Sequence, residues 1–133
     1  MIYVEGGSKR QRRIVKDAAM FAWRYLMPRV SNCVVDIELK KIKKADGYCH
    51  EADYRVFQIE ISKKLMGDNL LTTVFHEMVH VKQGVRKEWA FDEVAYKTHD
   101  EYINLPWEVE AYHLQEVMLE AWKNKDHLTN EYS

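Results

Sequence analysis

The spacing of apolar residues after position 8 predicts an N-terminal helix. Ser8 is followed three residues later by Gln11, which is the capping-box pattern that opens a helix. Apolar residues then recur at helical spacing over 14–26. Pro28, which lacks an amide hydrogen and crowds the preceding turn, ends the segment. The pattern therefore predicts a helix that buries one face.

Two segments with alternating apolar and polar residues predict a small sheet. Residues 33–42 and 55–62 each show this period of two, which places one face of each segment inward. The side chains expected to face inward are Val35, Ile37, Leu39, Phe57, Ile59 and Ile61. Residues 45–54 between the two segments contain Gly47 and several turn formers, so we expect a chain reversal there and a mainly antiparallel sheet.

A second helix is predicted in the middle of the chain, followed by a long irregular segment. Asp68 or Asn69 is placed to cap a helix over about 70–83, and Gly84 is placed to end it. Residues 85–104 are poorly periodic and predict a loop with one short helical piece.

The last helix completes one compact domain. It begins near Pro106, because proline is favoured in a first helical turn. Its core-facing residues are predicted to be Trp107, Ala111, Leu114 and Met118. The chain has 133 residues, 47% of them hydrophobic and 31% charged, with no repeat or linker. We therefore predict a single α+β domain over residues 1–133.

Charge and composition disfavour several classes of protein. The net charge of −1 gives no overall field that would attract nucleic acid or an anionic membrane, and the basic segments 9–13 and 40–44 are interpreted as solvated faces. No apolar run is long enough for a transmembrane helix, and the N-terminal residues do not resemble a signal peptide. Cys33 and Cys49 are therefore expected to be reduced thiols of a cytoplasmic protein.

The segment TTVFHEMVHVKQG, residues 72–84, carries the candidate chemistry. His76 and His80 lie one helical turn apart and project from the same face, where two imidazole nitrogens can bind one Zn²⁺. Glu77 is rotated by about 100° from His76, so it is suited to accept a proton from the attacking water rather than to bind the same ion. The apolar flanks indicate a buried helix, in which these polar groups are costly unless a metal satisfies them.

This segment resembles the active-site helix of the zincin metallopeptidases, and LPWEVEAY, residues 105–112, resembles the glutamate-bearing helix of the gluzincin branch. The order of elements is similar to that of very small gluzincins and of short metallopeptidase-like proteins of phage and bacterial genomes. The resemblance implies a zincin-like fold, one catalytic zinc and a peptide or protein substrate lying along an edge strand. Residues 55–62 are the candidate for that strand. A phage protein would act in the host cytoplasm.

The third zinc ligand must come from outside the motif helix. Periodicity does not choose between Glu108 and Glu110, because the two diverge by about 200° and flank the core-facing residues. The resemblance implies Glu108, since gluzincin helices commonly read Glu-x-x-Ala and Ala111 stands at that spacing. Tyr112 departs from the pattern, because an aspartate or asparagine is often found there. On this interpretation Glu110 points towards solvent or a lysine.

Other residues stay open as ligands or as hydrogen-bond donors. SprT-like zincins use a third histidine, and the alternative third ligands here are His99, His113, Asp92 and Asp100. A metzincin is disfavoured, because Gln83 and Arg86 stand where that branch needs glycine and histidine. The candidate donors to the oxyanion of a tetrahedral intermediate are Tyr96, His99, Tyr102 and Tyr112.

The sequence thus predicts a zinc metallopeptidase in which Glu77 is the general base and acid, and His76, His80 and Glu108 bind the metal. One alternative is a zinc-stabilised binding or regulatory protein that keeps the fold without cutting peptides. Another is a nucleic-acid-associated protease of the SprT-like kind. Glu77 favours an enzyme over a binding protein, because a site that only binds has no need of a proton acceptor.

Overall fold

Strands and helices of the described residues form an α+β fold, as the sequence predicts. The computed structural model describes residues 1–88 and 98–132, with the backbone alone for 126–132. The elements are β1 (Ile2–Gly6), α1 (Lys9–Leu26), β2 (Val34–Lys40), β3 (Gly47–Asp53), β4 (Val56–Ser62), α2 (Gly67–Val85), α3 (His99–Ile103) and α4 (Pro106–Tyr132). None of the helices in these ranges is long and apolar enough to cross a membrane.

The N-terminal helix forms as predicted. The Ser8 hydroxyl accepts a hydrogen bond from the Gln11 amide at 3.1 Å, and the Gln11 side chain accepts one from the Ser8 amide at 2.9 Å. This reciprocal pair satisfies two amides at the start of α1 that have no partner within the helix. At the other end the Met27 amide bonds to the Trp23 carbonyl, just before the proline that the sequence marks as a stop.

The sheet is mixed, and the prediction of a mainly antiparallel sheet is wrong. The strand order is β1-β2-β4-β3, with β1–β2 and β2–β4 parallel and only β3–β4 antiparallel. Helix α1 connects β1 to β2, which is the crossover that parallel neighbours need. Alternation identifies the buried face of a strand but not the direction of its neighbour, so it could not reveal this topology.

Residues 45–54 hold a strand as well as the predicted reversal. The β3 segment GYCHEAD is largely exposed and polar, so it lacks the alternation by which a strand is recognised. The chain turns at Tyr54 and Arg55, where Arg55 has a φ of 56°. Strand β4 therefore lies between β2 and β3, and residues 55–62 are not the edge strand we expected.

The core lies on the face of the sheet that α1 and α2 cover. All six residues predicted to face inward are at most 2% exposed: Val35, Ile37, Leu39, Phe57, Ile59 and Ile61. Helix α4 packs on α2, and an aromatic cluster joins the three long helices. In this cluster Trp122 packs edge-on against Phe21 at 5.4 Å between ring centroids and lies 6.1 Å from Phe75. The side of α2 that carries the motif is thus held between the sheet and α4.

The bounds of α2 differ from the prediction by a few residues. The helix begins at Gly67, after Met66, which makes no side-chain capping bond, so neither Asp68 nor Asn69 is the cap. Asp68 lies in the first turn, where a negative charge favours the positive end of the helix dipole. Gly84 is buried inside the last turn, and the helix ends one residue later.

The segment after α2 contains the short helical piece that we predicted. This is α3, which begins after a Thr98 cap, and α4 begins at Pro106 as the sequence indicates. The part of the predicted loop over 89–97 lies outside the described residues.

Candidate metal centre

Two helices bring His76, His80 and Glu108 together. The histidines lie one turn apart on α2, and Glu108 lies in the first turn of α4. His80 Nε2 is 2.6 Å from Glu108 Oε1, and His76 Nε2 is 3.3 Å from Glu108 Oε2. The two imidazole rings are 5.0 Å apart between centroids and nearly perpendicular. Both ring nitrogens therefore converge on one carboxylate.

Glu77 adds a second carboxylate to the same place. The ligand atoms of His76, Glu77 and His80 all lie within 4.8 Å of one another, so this group could hold a metal ion. Glu108 contacts both imidazoles directly, whereas one oxygen of Glu77 lies towards β3. A methyl group added at Gly47 would lie 3.2 Å from Glu77 Oε2. Glu108, rather than Glu77, is thus the carboxylate in direct contact with both imidazoles.

The Glu108 carboxylate is buried, and one of its oxygens lacks a hydrogen-bond partner in the described part of the chain. Its side chain is 2% exposed, and its Oε2 has no hydrogen-bond partner in the described part of the chain. The 3.3 Å approach of Oε2 to His76 Nε2 is thus a contact between charged or polar groups without hydrogen-bond alignment. A buried carboxylate oxygen without a partner costs roughly 1–3 kcal/mol or more. A bound cation would satisfy it.

Side-chain amides behind the histidines indicate where each imidazole carries its hydrogen. His80 Nδ1 lies 2.7 Å from Gln83 Oε1, and His76 Nδ1 lies 2.8 Å from Gln115 Oε1. The Gln83 amide nitrogen donates to the Trp107 carbonyl, so its oxygen must face the ring. An amide oxygen only accepts, so each Nδ1 carries a hydrogen; a ring that is neutral then has its lone pair on Nε2, and a protonated ring carries a second hydrogen there.

In a neutral ring this arrangement directs the lone pair of Nε2 at the Glu108 carboxylate. Lone pairs and carboxylate oxygens repel one another, so the contacts at 2.6 and 3.3 Å need a positive charge between them, either a proton on the imidazole or a metal ion. Tetrahedral ligands bound to zinc at about 2.0–2.1 Å lie roughly 3.3 Å apart. The His76 contact already has that length, and the His80 contact requires a small opening. The three side chains thus fit a metal ion.

The charges of the metal-free site are strongly coupled. Burial disfavours the ionised form of Glu108, but the contacts with His76 and His80 outweigh it and lower its pKa to about 2. Burial lowers the pKa of His80, and the contact with Glu108 and the charge of Glu77 outweigh it, so that the pKa is raised. For Glu77 burial raises the pKa, against the opposing effect of both imidazoles. The site concentrates negative charge that a cation would neutralise.

The candidate metal centre opens on a cleft of about 1110 Å³. His76, Glu77 and Glu108 line it, together with Gly47 and Tyr48 of β3. Three of the four candidate oxyanion donors also line the cleft: His99, Tyr102 and Tyr112. The fourth, Tyr96, lies outside the described residues.

Among these donors, Tyr112 lies against the candidate metal ligands. Its ring is 4.6 Å from that of His76 between centroids. Burial and the neighbouring carboxylates of Glu108 and Glu77 raise the pKa of Tyr112, so its phenol keeps its hydrogen at neutral pH. Tyr112 therefore remains a hydrogen-bond donor beside the metal ligands.

The alternative third ligands that the structure describes are not in contact with the two imidazoles. His113 is exposed and is not among the residues that line the cleft. His99 and Asp100 are exposed on α3, and only His99 of the two lines the cleft. Asp92 lies outside the described residues. None of the described residues of this set contacts both imidazoles as Glu108 does.

Glu110 points away from the ligands, as expected, but it is not free of the site. Its Oε1 lies 2.9 Å from Lys82 Nζ and accepts a hydrogen bond from Gln83 Nε2 at 3.0 Å. Gln83 in turn contacts His80. Sequence reasoning missed the roles of Gln83 and Gln115. The position of Gln83, three residues after His80 on one helix, is the signal that could have indicated its role.

Comparison with protein-family models, with curated proteins and with solved structures finds no match for this chain. The candidate chemistry therefore depends on the residues and their geometry.

Proposed function

We propose that the protein is a small zinc-dependent peptide hydrolase. In this proposal His76, His80 and Glu108 bind one zinc ion, and Glu77 is the general base and acid. The observation that carries it is the convergence of two Nε2 atoms and a buried, partly unpartnered carboxylate on one point beside a second carboxylate. That point opens on a cleft large enough for a peptide segment.

Two imidazole nitrogens and one carboxylate form a donor set that suits zinc. Such a set of three protein ligands is typical of catalytic zinc sites, which keep a fourth position open. When bound, zinc would polarise a carbonyl group and lower the pKa of a water molecule to about 7. The geometry indicates that the site could hold a metal ion, and the proposal specifies zinc as that ion and hydrolysis as the reaction.

Glu77 supports hydrolysis rather than binding alone. Its carboxylate is buried beside both imidazoles and lines the same cleft. From there it would take a proton from the attacking water and return it to the nitrogen of the leaving amine. A binding protein with the same ligands would gain nothing from this second carboxylate, whose burial is costly.

Tyr112 is the donor that we propose for the oxyanion. It lies against His76 and borders the cleft, and its phenol stays protonated. A donor at this position would stabilise the negative charge that develops on the carbonyl oxygen as water attacks. His99 and Tyr102, both on α3, border the same cleft and would contact substrate side chains.

The substrate would lie along β3 rather than along the strand that we first expected. β3 is at the end of the strand order and pairs with β4 alone in the described sheet. Its Gly47 and Tyr48 line the cleft beside Glu77. An extended peptide added to this edge would use backbone hydrogen bonds, which tolerate many side chains.

The experiment that tests this function uses protein loaded with one equivalent of zinc and a mixture of synthetic peptides of varied sequence. Mass spectrometry of new peptide ends is the readout. We expect cleavage by the zinc-loaded wild type, none after chelation, and none by Glu77→Gln, which removes a proton acceptor and leaves His76, His80 and Glu108 in place. Equal cleavage by wild type and Glu77→Gln would contradict the proposal.

A further inference from the structure

We propose that Gln83 and Glu110 form a positioning pair that keeps the hydrogen of His80 on Nδ1 and so presents Nε2 to the metal. The inference rests on the metal centre proposed above. Neither residue lies at the point where the two Nε2 atoms meet the Glu108 carboxylate. Gln83 acts on His80 directly, and Glu110 acts through Gln83.

The amide oxygen and both amide hydrogens of Gln83 have hydrogen-bond partners. It is 1% exposed, and its Oε1 lies 2.7 Å from His80 Nδ1. Its amide nitrogen donates to the Trp107 carbonyl at 2.8 Å and to Glu110 Oε1 at 3.0 Å. An NH₂ group has two hydrogens, and each has an acceptor here. The amide therefore cannot turn over to offer His80 a donor without losing both bonds.

Glu110 strengthens this orientation with its charge. Its Oε1 is shared between the Gln83 amide and Lys82 Nζ, which also lies 3.1 Å from Glu88 Oε2. A carboxylate behind the NH₂ group polarises the amide, so that the Gln83 oxygen becomes a better acceptor for the imidazole hydrogen. The lysine in turn holds the carboxylate in place.

The competing tautomer shows why the pair matters. With its hydrogen on Nε2, His80 would donate to Glu108 Oε1, which is only 2.6 Å away. The lone pair would then lie on Nδ1, directed away from Glu108 and towards Gln83. In this state His80 cannot bind a metal that Glu108 also binds. The Gln83–Glu110 pair is the feature that favours the productive tautomer.

His76 provides an internal comparison. Its Nδ1 faces Gln115, whose amide nitrogen donates to the exposed Glu116 carboxylate at 3.1 Å. This partner lies near the surface, whereas Gln83 is buried. We therefore expect replacement of Gln115 to affect His76 and to leave the tautomer of His80 unchanged.

The test is nitrogen-15 NMR of the histidine rings in metal-free protein at pH 8, together with zinc affinity measured by competition with a chelating dye. Wild type should show His80 with its hydrogen on Nδ1. Gln83→Leu should move that hydrogen to Nε2 and weaken zinc binding by about 10–100-fold. Gln115→Leu is the matched control, in which the His80 signals should stay as in wild type.

A restoring variant separates positioning from packing. In the double variant Gln83→Glu with Glu110→Gln, the carboxylate at position 83 accepts from Nδ1 and from the amide at position 110, although the bond to the Trp107 carbonyl is lost. This exchange should return the hydrogen of His80 to Nδ1 and recover part of the zinc affinity. Should Gln83→Leu fail to fold, Glu110→Gln alone is expected to raise the Nε2–H population of His80.

An Nδ1 hydrogen on His80 in Gln83→Leu would overturn the inference, as would an unchanged tautomer in Glu110→Gln if the first variant does not fold. A wild-type protein that binds no zinc would end the proposed function instead. The NMR readout of metal-free protein would still decide the role of the pair, so the two failures are distinguishable.

Discussion

His80 Nε2 and Glu108 Oε1 lie 2.6 Å apart and join the motif helix to the first turn of the last helix. Gln83 faces the other ring nitrogen and favours a hydrogen there, so in a neutral ring this contact brings a lone pair against a carboxylate. The fold thus holds two groups together that would repel each other without a proton or a metal ion between them. This relationship is the physical basis for the metal centre that we propose between α2 and α4.

Replacement of Glu108 should remove most of the zinc affinity. Glu108→Ala deletes one of three ligands and is expected to weaken zinc binding by more than about 100-fold, beyond the 10–100-fold range of residues that only position a ligand. Zinc competition with a chelating dye measures it. The matched control is Glu110→Ala, two residues along α4.

Glu110→Ala should have an intermediate effect of about 10-fold, because Glu110 supports Gln83 without touching the metal. The structure therefore changes the expectation from the sequence alone, under which Glu110 would not matter. A larger effect at Glu110 than at Glu108 would transfer the ligand role to Glu110.

Glu77→Gln should separate metal binding from catalysis. The change keeps the size of the side chain and removes the proton acceptor, so we expect zinc affinity near that of wild type and a rate of peptide cleavage about 10²–10⁴-fold lower. Zinc affinity and cleavage rate are measured on the same preparation. Strong loss of zinc in Glu77→Gln would identify Glu77 as a metal ligand instead.

Gly47→Ala should impair catalysis without loss of the metal. The added methyl group would lie 3.0 Å from Thr73 Cγ2, 3.1 Å from the Glu60 carbonyl oxygen and 3.2 Å from Glu77 Oε2. These distances are tighter than ordinary van der Waals contact, so the Glu77 carboxylate or the strand must shift. We expect slower peptide cleavage with little change in zinc affinity.

The control for Gly47→Ala is His50→Ala on the same strand. His50 is exposed and does not line the cleft, so this variant should cleave peptides as wild type does. Cleavage by Gly47→Ala at the wild-type rate would show that Glu77 does not depend on the close approach of β3.

The stability of metal-free protein should depend on pH through Glu108 and His80. The pKa of Glu108 falls from its ordinary value of 4.5 to about 2, so its contribution is present above pH 4.5 and is lost as the pH falls towards 2. The pKa of His80 is raised above 6.5, so its contribution is present below pH 6.5 and is lost as the pH rises through the raised value. Together they favour the fold most between pH 4.5 and 6.5.

Bound zinc should offset the loss of stability that is expected above this pH window. Metal binding needs deprotonated ligands, so the rise in melting temperature on adding zinc is expected to be larger at pH 7.5 than at pH 5.5. Thermal unfolding with and without a chelator at both pH values measures it. A zinc effect that is equal at the two values would argue against histidine ligands.

The helices and the buried faces of the strands could be predicted from the sequence, because capping residues and apolar periods are local signals. Ser8 with Gln11, and the alternation through Phe57 and Ile59, are examples. The topology could not be predicted in this way. β1 is only five residues long, and the polar edge strand β3 buries too little to carry a pattern.

The residues of the candidate site also differ in whether the sequence alone could predict them. His76, Glu77 and His80 are recognisable because one helix fixes their spacing. Glu108 needed a resemblance, since its approach to His80 depends on how α4 packs on α2. The role of Gln83 depends on two helices and a backbone carbonyl at once, so no local pattern could reveal it.

The measurement that tests the central claim most directly is the zinc content of purified protein by elemental analysis, after incubation with zinc and removal of unbound metal. Wild type should contain about one zinc per chain, and His80→Ala and Glu108→Ala should contain close to none. Because these two side chains lie on different helices, loss of zinc from both variants would support a shared centre between α2 and α4. A wild-type protein without stoichiometric zinc, or variants that retain it fully, would contradict the account.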